Sequence, residues 1–372
     1  MPKTKVTYIL SNIDKAIAFE WISEKLDDKK IKLSFILLND KSPYLLDWLK
    51  QRNIESYYIP HFGKKSYPKS FFKLLFILKK INPQIVHTHL LDANLIGLSA
   101  AKLLGIKKRI YTRHHSTFHH IYFPKSVKWD RITNSLATHV VAISENVKKV
   151  LVERENVPLG KISFIHHGFN LGGFSSVTDD EIKQYKLKYG IGSTNSPVIG
   201  VIARYVKLKG IQYTIVAFKQ LLVDFPDAKL VLANAVGPDK DYIKAILKKQ
   251  LKPNQYIEIL FEPNLFVLYK LFDVYVHVPI NEHIEAFGQT YVEALAAGIP
   301  SVFSLSGVAT EFIKDGENAL VVNYENSSDI YTAIKKILEK ADLKMKLVEN
   351  GKKSIAVFEL DIFISKLEKL YA

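Results

Sequence analysis

The chain has 372 residues, 48% hydrophobic and 24% charged, and that length exceeds a usual single core, so two domains are expected. It has no cysteine, which excludes disulfide and thiolate chemistry and suits a reducing cytosol. Lysine and arginine number 52 against 37 acidic residues, a net +15 that either keeps the protein soluble or favours an anionic partner such as a membrane surface or lipid phosphate; nucleic acid is disfavoured, because zinc-finger spacing, RNP-like aromatics and a basic heptad helix are all missing.

In chain order, MPKTKVTYIL lacks a secretory pattern, since Lys3 and Lys5 lead straight into a short apolar run. β-rich runs at 6–11, 33–38, 57–60, 85–89, 110–114, 139–144 and 162–166 predict strands. Helical patterns lie between them, among them Ile17, Trp21, Ile22 and Leu26, then Leu95, Leu98, Leu103 and Leu104. The strands are apolar nearly throughout, as parallel strands covered on both faces should be, so the first half reads as a doubly wound α/β sheet. No apolar stretch is long enough to span a bilayer; the best, 71–78, is interrupted by Lys73 and closed by Lys79 and Lys80. The basic, aromatic stretch 66–80 reads first as a sheet-covering helix and second as an amphipathic face for an anionic membrane.

A linker is expected at 191–197, which is built of Gly, Ser, Thr, Asn, Pro and one Ile. Strand patterns restart at 198–203, 230–233, 257–261, 274–278, 301–304 and 320–322, a second α/β domain. In 358–371, Phe363, Ile364, Leu367 and Leu370 recur at helical spacing and should dock on a sheet. The expected division is 1–180, 181–355 and a terminal helix within 356–372.

Chemistry concentrates in HVPINEHIEAFGQTYVEALAAGIPS, 277–301, where Glu285 and Glu293 flank a Phe287-Gly288 turn between an apolar strand and an apolar-faced helix. A helix N-terminus after such a turn presents unpaired N–H groups and favours an anion. The carboxylates suit hydroxyl groups instead, so the pattern fits a nucleotide sugar. Glu293 has apolar neighbours Val292, Ala294 and Leu295, and a carboxyl there requires a hydrogen-bond partner. Upstream, VIGVIARYVKLKG puts Arg204 at a strand end and Lys209 just before Gly210 and a helix. The two cations can converge on a diphosphate without a metal; taken alone, they read as solvated charges.

ARYVKLKG resembles the G-R-x-x-x-x-K-G motif of retaining glycosyltransferases of family 4, and EAFGQTYVE resembles their E-x7-E motif. ALAAGIPSV is similar to the continuation of that motif, and IVHTHLLDANLIG, YTRHHS, ISENVKKVLVE and FIHHGFN resemble first-half pieces of the same family in order. The resemblance implies a GT-B fold: two Rossmann-like, doubly wound parallel-sheet domains facing a central cleft, with the C-terminal helix crossing back to the first domain. It implies a nucleoside-diphosphate sugar donor (UDP- or GDP-linked), a saccharide or lipid-linked saccharide acceptor in bacterial surface polysaccharide or glycan assembly, and no metal or other cofactor. It implies a cytoplasmic enzyme and leaves a peripheral place on the inner face of the membrane open. By position, Arg204 and Lys209 would bind the donor diphosphate, Glu285 the sugar hydroxyls and Glu293 the ribose. The backbone of Ala286, Phe287, Gly288 and Gln289 would cap the phosphate, and Asn264 and Leu265 would meet the base. His114 joins Arg204, Lys209 and Glu285 as a catalytic residue, while Asn12, His89, His114 and His115 line the acceptor side.

Histidines cluster at His87, His89, His114, His115, His119, His120, His166 and His167. A metal site would need converging nitrogens with a carboxylate, and no H-E-x-x-H spacing occurs, so none is expected. Two departures from the family stand out. The loop Ser11-Asn12-Ile13-Asp14 has no glycine, which narrows close backbone approach. Only Gly237-Pro238 survives of the usual G-x-G-P. A UDP-sugar 2-epimerase and a non-catalytic GT-B scaffold remain the competing readings.

Overall fold

A computed structural model describes residues 2–192 and 194–372. The chain forms two units, Met1–Phe169 with Leu360–Ala372, and Asn170–Glu359.

In the first unit, the strands are β1 (Thr4–Ser11), β2 (Ile31–Asn39), β3 (Glu55–Pro60), β4 (Ile85–His89), β5 (Lys108–Arg113), β6 (His139–Ala142) and β7 (Ile162–Phe164). Among the described residues they make a seven-stranded sheet in the order β3-β2-β1-β4-β5-β6-β7, with parallel pairing throughout. All five residues of β4 are buried, as expected of a strand covered on both faces. The helix Tyr67–Ile81 buries Ser70, Leu74, Leu78 and Ile81, a stripe at helical spacing that covers the sheet. Among the described residues, no helix is long and apolar enough to cross a membrane.

The second unit carries β8 (Val198–Ile202), β9 (Lys229–Ala233), β10 (Tyr256–Ile259), β11 (Val274–His277), β12 (Ser301–Phe303) and β13 (Leu320–Val321). Among the described residues they form a six-stranded sheet in the order β10-β9-β8-β11-β12-β13, again parallel. The helix Ile211–Asp224 buries Ile211, Ile215, Phe218 and Leu221 in a core that includes Leu230, Val274 and Val276. Each such side chain contributes about 1.5–3 kcal/mol.

Every predicted strand is present, although several stop short of the apolar run that announced them. The run at 139–144, for example, leaves the ladder at Ala142 while Ile143 and Ser144 stay buried; burial, which the sequence pattern reports, outlasts pairing. The division of the chain differs more. The crossing lies at Phe169–Asn170, ahead of both the expected boundary and the expected linker. The helix Asp179–Lys188 and Tyr189 are tied into the second unit by buried Glu262, which accepts from Lys188 Nζ (2.6 Å), Tyr185 Oη (3.2 Å) and Tyr189 Oη. Phe174 packs on Phe266 and Tyr269 of that unit. Ser193, within the expected linker, lies outside the described residues.

The helix Leu360–Tyr371 belongs to the first unit, as expected of the terminal segment. Its Tyr371 hydroxyl meets Tyr8 Oη and lies 2.6 Å from His87 Nδ1. Phe358, just before it, packs on Phe287 and Phe312 of the second unit, so the return begins at Leu360 rather than at 356.

Candidate functional site

Each sheet reverses its strand order once, between β1 and β4 and between β8 and β11. Open α/β sheets bind ligands beyond the carboxyl ends of the strands at such a point. The expected site residues fall there: Asn12 after β1, His89 at the end of β4, Arg204 and Lys209 after β8, and Glu285 in the loop after β11.

On the second unit, Glu285 Oε1 gathers two nitrogens, Lys209 Nζ at 2.6 Å and His277 Nε2 at 3.0 Å. His277 ends β11 and is buried, its ring edge-on to Tyr291 at 4.8 Å. Gly210 makes the Lys209 approach feasible. It has φ +71°, and a Cβ there would lie 1.8 Å from Val278 O, so only glycine lets the turn Lys207–Lys209 pass so close to the exit of β11. The Glu285 backbone N–H donates to buried Ser306 Oγ at 3.0 Å, and the Phe287 carbonyl accepts from Val308 N at 2.9 Å. Burial raises the Glu285 carboxyl, but the Lys209 ammonium and the His277 hydrogen bond overcome it and hold the group at about 2. Glu285 is therefore a carboxylate across the ordinary pH range. Glu282, three residues earlier, is exposed.

Gly288 has φ +87° and caps the helix Gln289–Ala296. A Cβ on it would meet the Tyr291 ring at 2.6 Å, so the glycine sets the turn from Ala286 and Phe287 into exposed Gln289. The helix thus begins where the anion seat is expected. Glu293, on the same helix, is half-buried, and Tyr269 Oη donates to its Oε2 at 2.9 Å. Burial pushes the Glu293 carboxyl up to about 7 against that hydrogen bond. The tyrosine supplies the partner that its apolar setting required.

Arg204 is exposed just beyond β8. Asn264 uses its own groups within the protein. Its N–H donates to Glu262 Oε1 at 2.9 Å, its carbonyl accepts from Leu268 N at 3.3 Å, and its side chain caps the turn at Val267 N. Asn234 takes the left-handed conformation, φ +60°, one residue before Ala235, which stands where the family pattern has its first glycine, and Asn12 does the same at φ +56° in the glycine-free loop.

On the first unit, His89 Nδ1 and His114 Nε2 lie 2.9 Å apart, and the His114 ring stacks on His167. Burial lowers His114 to about 3 and His167 to about 4, so these rings are neutral and act through hydrogen bonds rather than charge. The His87 ring lies 4.6 Å from that of His89 and bonds Tyr371 and Thr112. Asn12 does not join this pair. Its Nδ2 reaches Asp92 Oδ2 at 3.4 Å, where His61 Nε2 (3.2 Å) and Tyr67 Oη also converge on the carboxylate. His115 turns instead to buried Asp130, with Nε2 3.1 Å from Oδ1, and His119 Nδ1 lies 2.8 Å from Oδ2. His119 and His120 are thus both held by carboxylates, His120 by Glu155 at 3.0 Å.

Sequence reasoning missed His277, Asp92 and Asp130. His277 left a signal: it is the polar residue at the end of the apolar run VYVHV. The two aspartates left none, because which histidines they meet depends on how separate elements pack.

Two family profiles match the chain: Glycosyltransferase Family 4 over residues 22–172 and Glycosyl transferases group 1 over residues 186–354. Alpha-monoglucosyldiacylglycerol synthase of Acholeplasma laidlawii is 25% identical over 330 residues, 82% of this chain and 80% of that protein. The capsular polysaccharide biosynthesis glycosyltransferase CapM of Staphylococcus aureus is 25% identical over 324 residues, with the same coverage. The crystal structure of Anabaena Alr3699/HepE with UDP and glucose superposes with a TM-score of 0.84 at 16% identity, covering 98% of each chain.

Proposed function

Because the chain belongs to the group 1 glycosyltransferases, which have the GT-B fold, we propose that it transfers a sugar from a nucleoside-diphosphate sugar to a hydroxyl acceptor with retention of the anomeric configuration. The observation that carries this reading is the convergence of Lys209, His277 and Glu285 beside the helix N-terminus at Gly288. A carboxylate held ionised by a lysine and a histidine accepts hydrogen bonds from sugar hydroxyls. Lys209, Arg204 and the first N–H groups of the helix Gln289–Ala296 stabilise the charge that grows on the diphosphate as the glycosidic bond stretches. The acceptor hydroxyl attacks from the face the diphosphate leaves, and the departing phosphate oxygen takes its proton. No protein nucleophile and no metal enters the proposed transfer. Glu293 receives the ribose hydroxyls, and neutral His89 and His114 line the acceptor side. That HepE was crystallised with UDP and glucose supports a UDP-sugar donor.

For the acceptor we propose a lipid-linked saccharide presented at an anionic membrane. Three features support this: the glycolipid product in the Acholeplasma relative's name, the net charge of +15, and one face of the helix Tyr67–Ile81. There Phe72 and Phe76 are 68% and 74% exposed among exposed Lys69, Lys73 and Lys80.

The test is transfer from labelled UDP-sugars by Lys209→Ala and Glu285→Ala. Each should lose about a hundredfold or more in kcat while circular dichroism stays native. Full activity in either variant overturns the assignment.

A further inference from the structure

We propose that the first unit carries a binding site for a divalent transition-metal ion of the Zn2+ class, with His115 Nε2, His119 Nδ1 and an oxygen of Asp130 as ligands. These ligand atoms all lie within 4.8 Å of one another, and the two nitrogens approach the carboxylate to 3.1 and 2.8 Å. A tetrahedral ion with bonds of about 2.0–2.2 Å spaces its ligand atoms about 3.3–3.5 Å apart, so modest side-chain rotation closes the set. Two imidazoles and a carboxylate make a borderline-soft donor set that selects zinc-like ions over calcium or magnesium.

Charge balance favours a cation here. Arg113 Nη1 does lie 3.4 Å from Asp130 Oδ1, a repulsive neighbour for a metal. That guanidinium is already clamped by buried Glu155, at 2.5 and 3.3 Å. Its charge is answered there, and Asp130, 2% exposed, is left facing imidazoles. A buried carboxylate calls for a positive partner. A cavity of about 230 Å³ borders His114, His115, His119 and Asp130 and gives an ion access with room for a water as fourth ligand. Buried Thr133 lines the same cavity, and its Oγ1 has no hydrogen-bond partner among the described residues. A bound ion would pin the segment around His115 and His119 to the helix Val127–Leu136, which carries Asp130. The site borders His114 of the proposed acceptor side, but the proposed transfer needs no metal, and the test reads binding rather than activity.

The experiment uses the full chain without a polyhistidine tag, stripped by chelator, then titrated with Co2+ and with Zn2+ in competition with a chromophoric chelator. One equivalent should bind, and Co2+ should show the visible bands of four-coordinate geometry. His115→Ala and His119→Ala should each weaken binding by more than the about 10–100-fold that outer-shell changes cost. His120→Ala, which touches Glu155 and not Asp130, should bind as the parent does. Should the variants misfold, zinc X-ray absorption of the unmodified protein decides by counting two imidazoles in the shell. No stoichiometric binding by the parent, binding that survives loss of both histidines, or a shell without imidazole overturns the proposal.

Discussion

Replacing Glu293 by glutamine should remove a pH dependence of stability that runs against the usual acidic trend. In the folded protein, burial holds this carboxyl at about 7 against an ordinary 4.5. The fold therefore binds its proton more tightly than the unfolded chain does. The stabilisation that follows is complete below about pH 4.5 and is lost as the pH rises through 7, because above that point ionisation within the fold costs roughly 3 kcal/mol. Glutamine keeps the shape and a hydrogen bond with Tyr269, and it does not titrate. Urea unfolding of both proteins, across about pH 5 to 8 without ligand, should show the Glu293→Gln advantage growing with pH by roughly 3 kcal/mol. The same carboxyl predicts a linkage to donor binding. Ribose hydroxyls that donate to Glu293 favour its ionised form, so UDP should bind more tightly as the pH rises to about 7, with release of a proton. A stability difference that stays flat with pH, together with pH-independent UDP affinity in the parent, would refute the reasoning.

Gly210→Ala should destabilise the second unit by several kcal/mol, because its Cβ would fall 1.8 Å from Val278 O at a φ of +71°; thermal melting reads this, and an unchanged midpoint would contradict it. The double variant Phe72→Ser/Phe76→Ser should lose sedimentation with anionic vesicles at low salt while keeping turnover on a soluble acceptor, since both rings are exposed and membrane affinity scales with buried apolar area. Retained sedimentation would place any membrane contact elsewhere.

Much of the fold was legible because the strands are buried on both faces, so an unbroken apolar run marks each one and the alternation with helices marks the parallel sheet. The chain's division was less legible. Gly, Ser and Pro at 191–197 announce a break in local structure, but the helix before it joins the second unit through Glu262, a contact between residues more than seventy positions apart. The second unit's site was legible where motif spacing reports it: Lys209 and Glu285 do meet. Their third partner, His277, was legible only as a polar residue in an apolar run, since its partner is not visible in one dimension. The histidines divided along the same line. The shared strand face of His87 and His89 follows from period-two geometry, and their rings lie 4.6 Å apart. The capture of His115 and His119 by Asp130 depends on how a later helix packs.

Tyr371 and Tyr8 touch although 363 positions separate them. During synthesis the first strand leaves the ribosome early and must wait for its closing helix until every residue of the second unit has been delivered. The second unit is continuous in the chain and can complete its core in one pass, while the first spends that interval with the seat of the closing helix uncovered. The unit made first is thus the unit finished last, and protease nicking of nascent chains should find it open after its neighbour has closed.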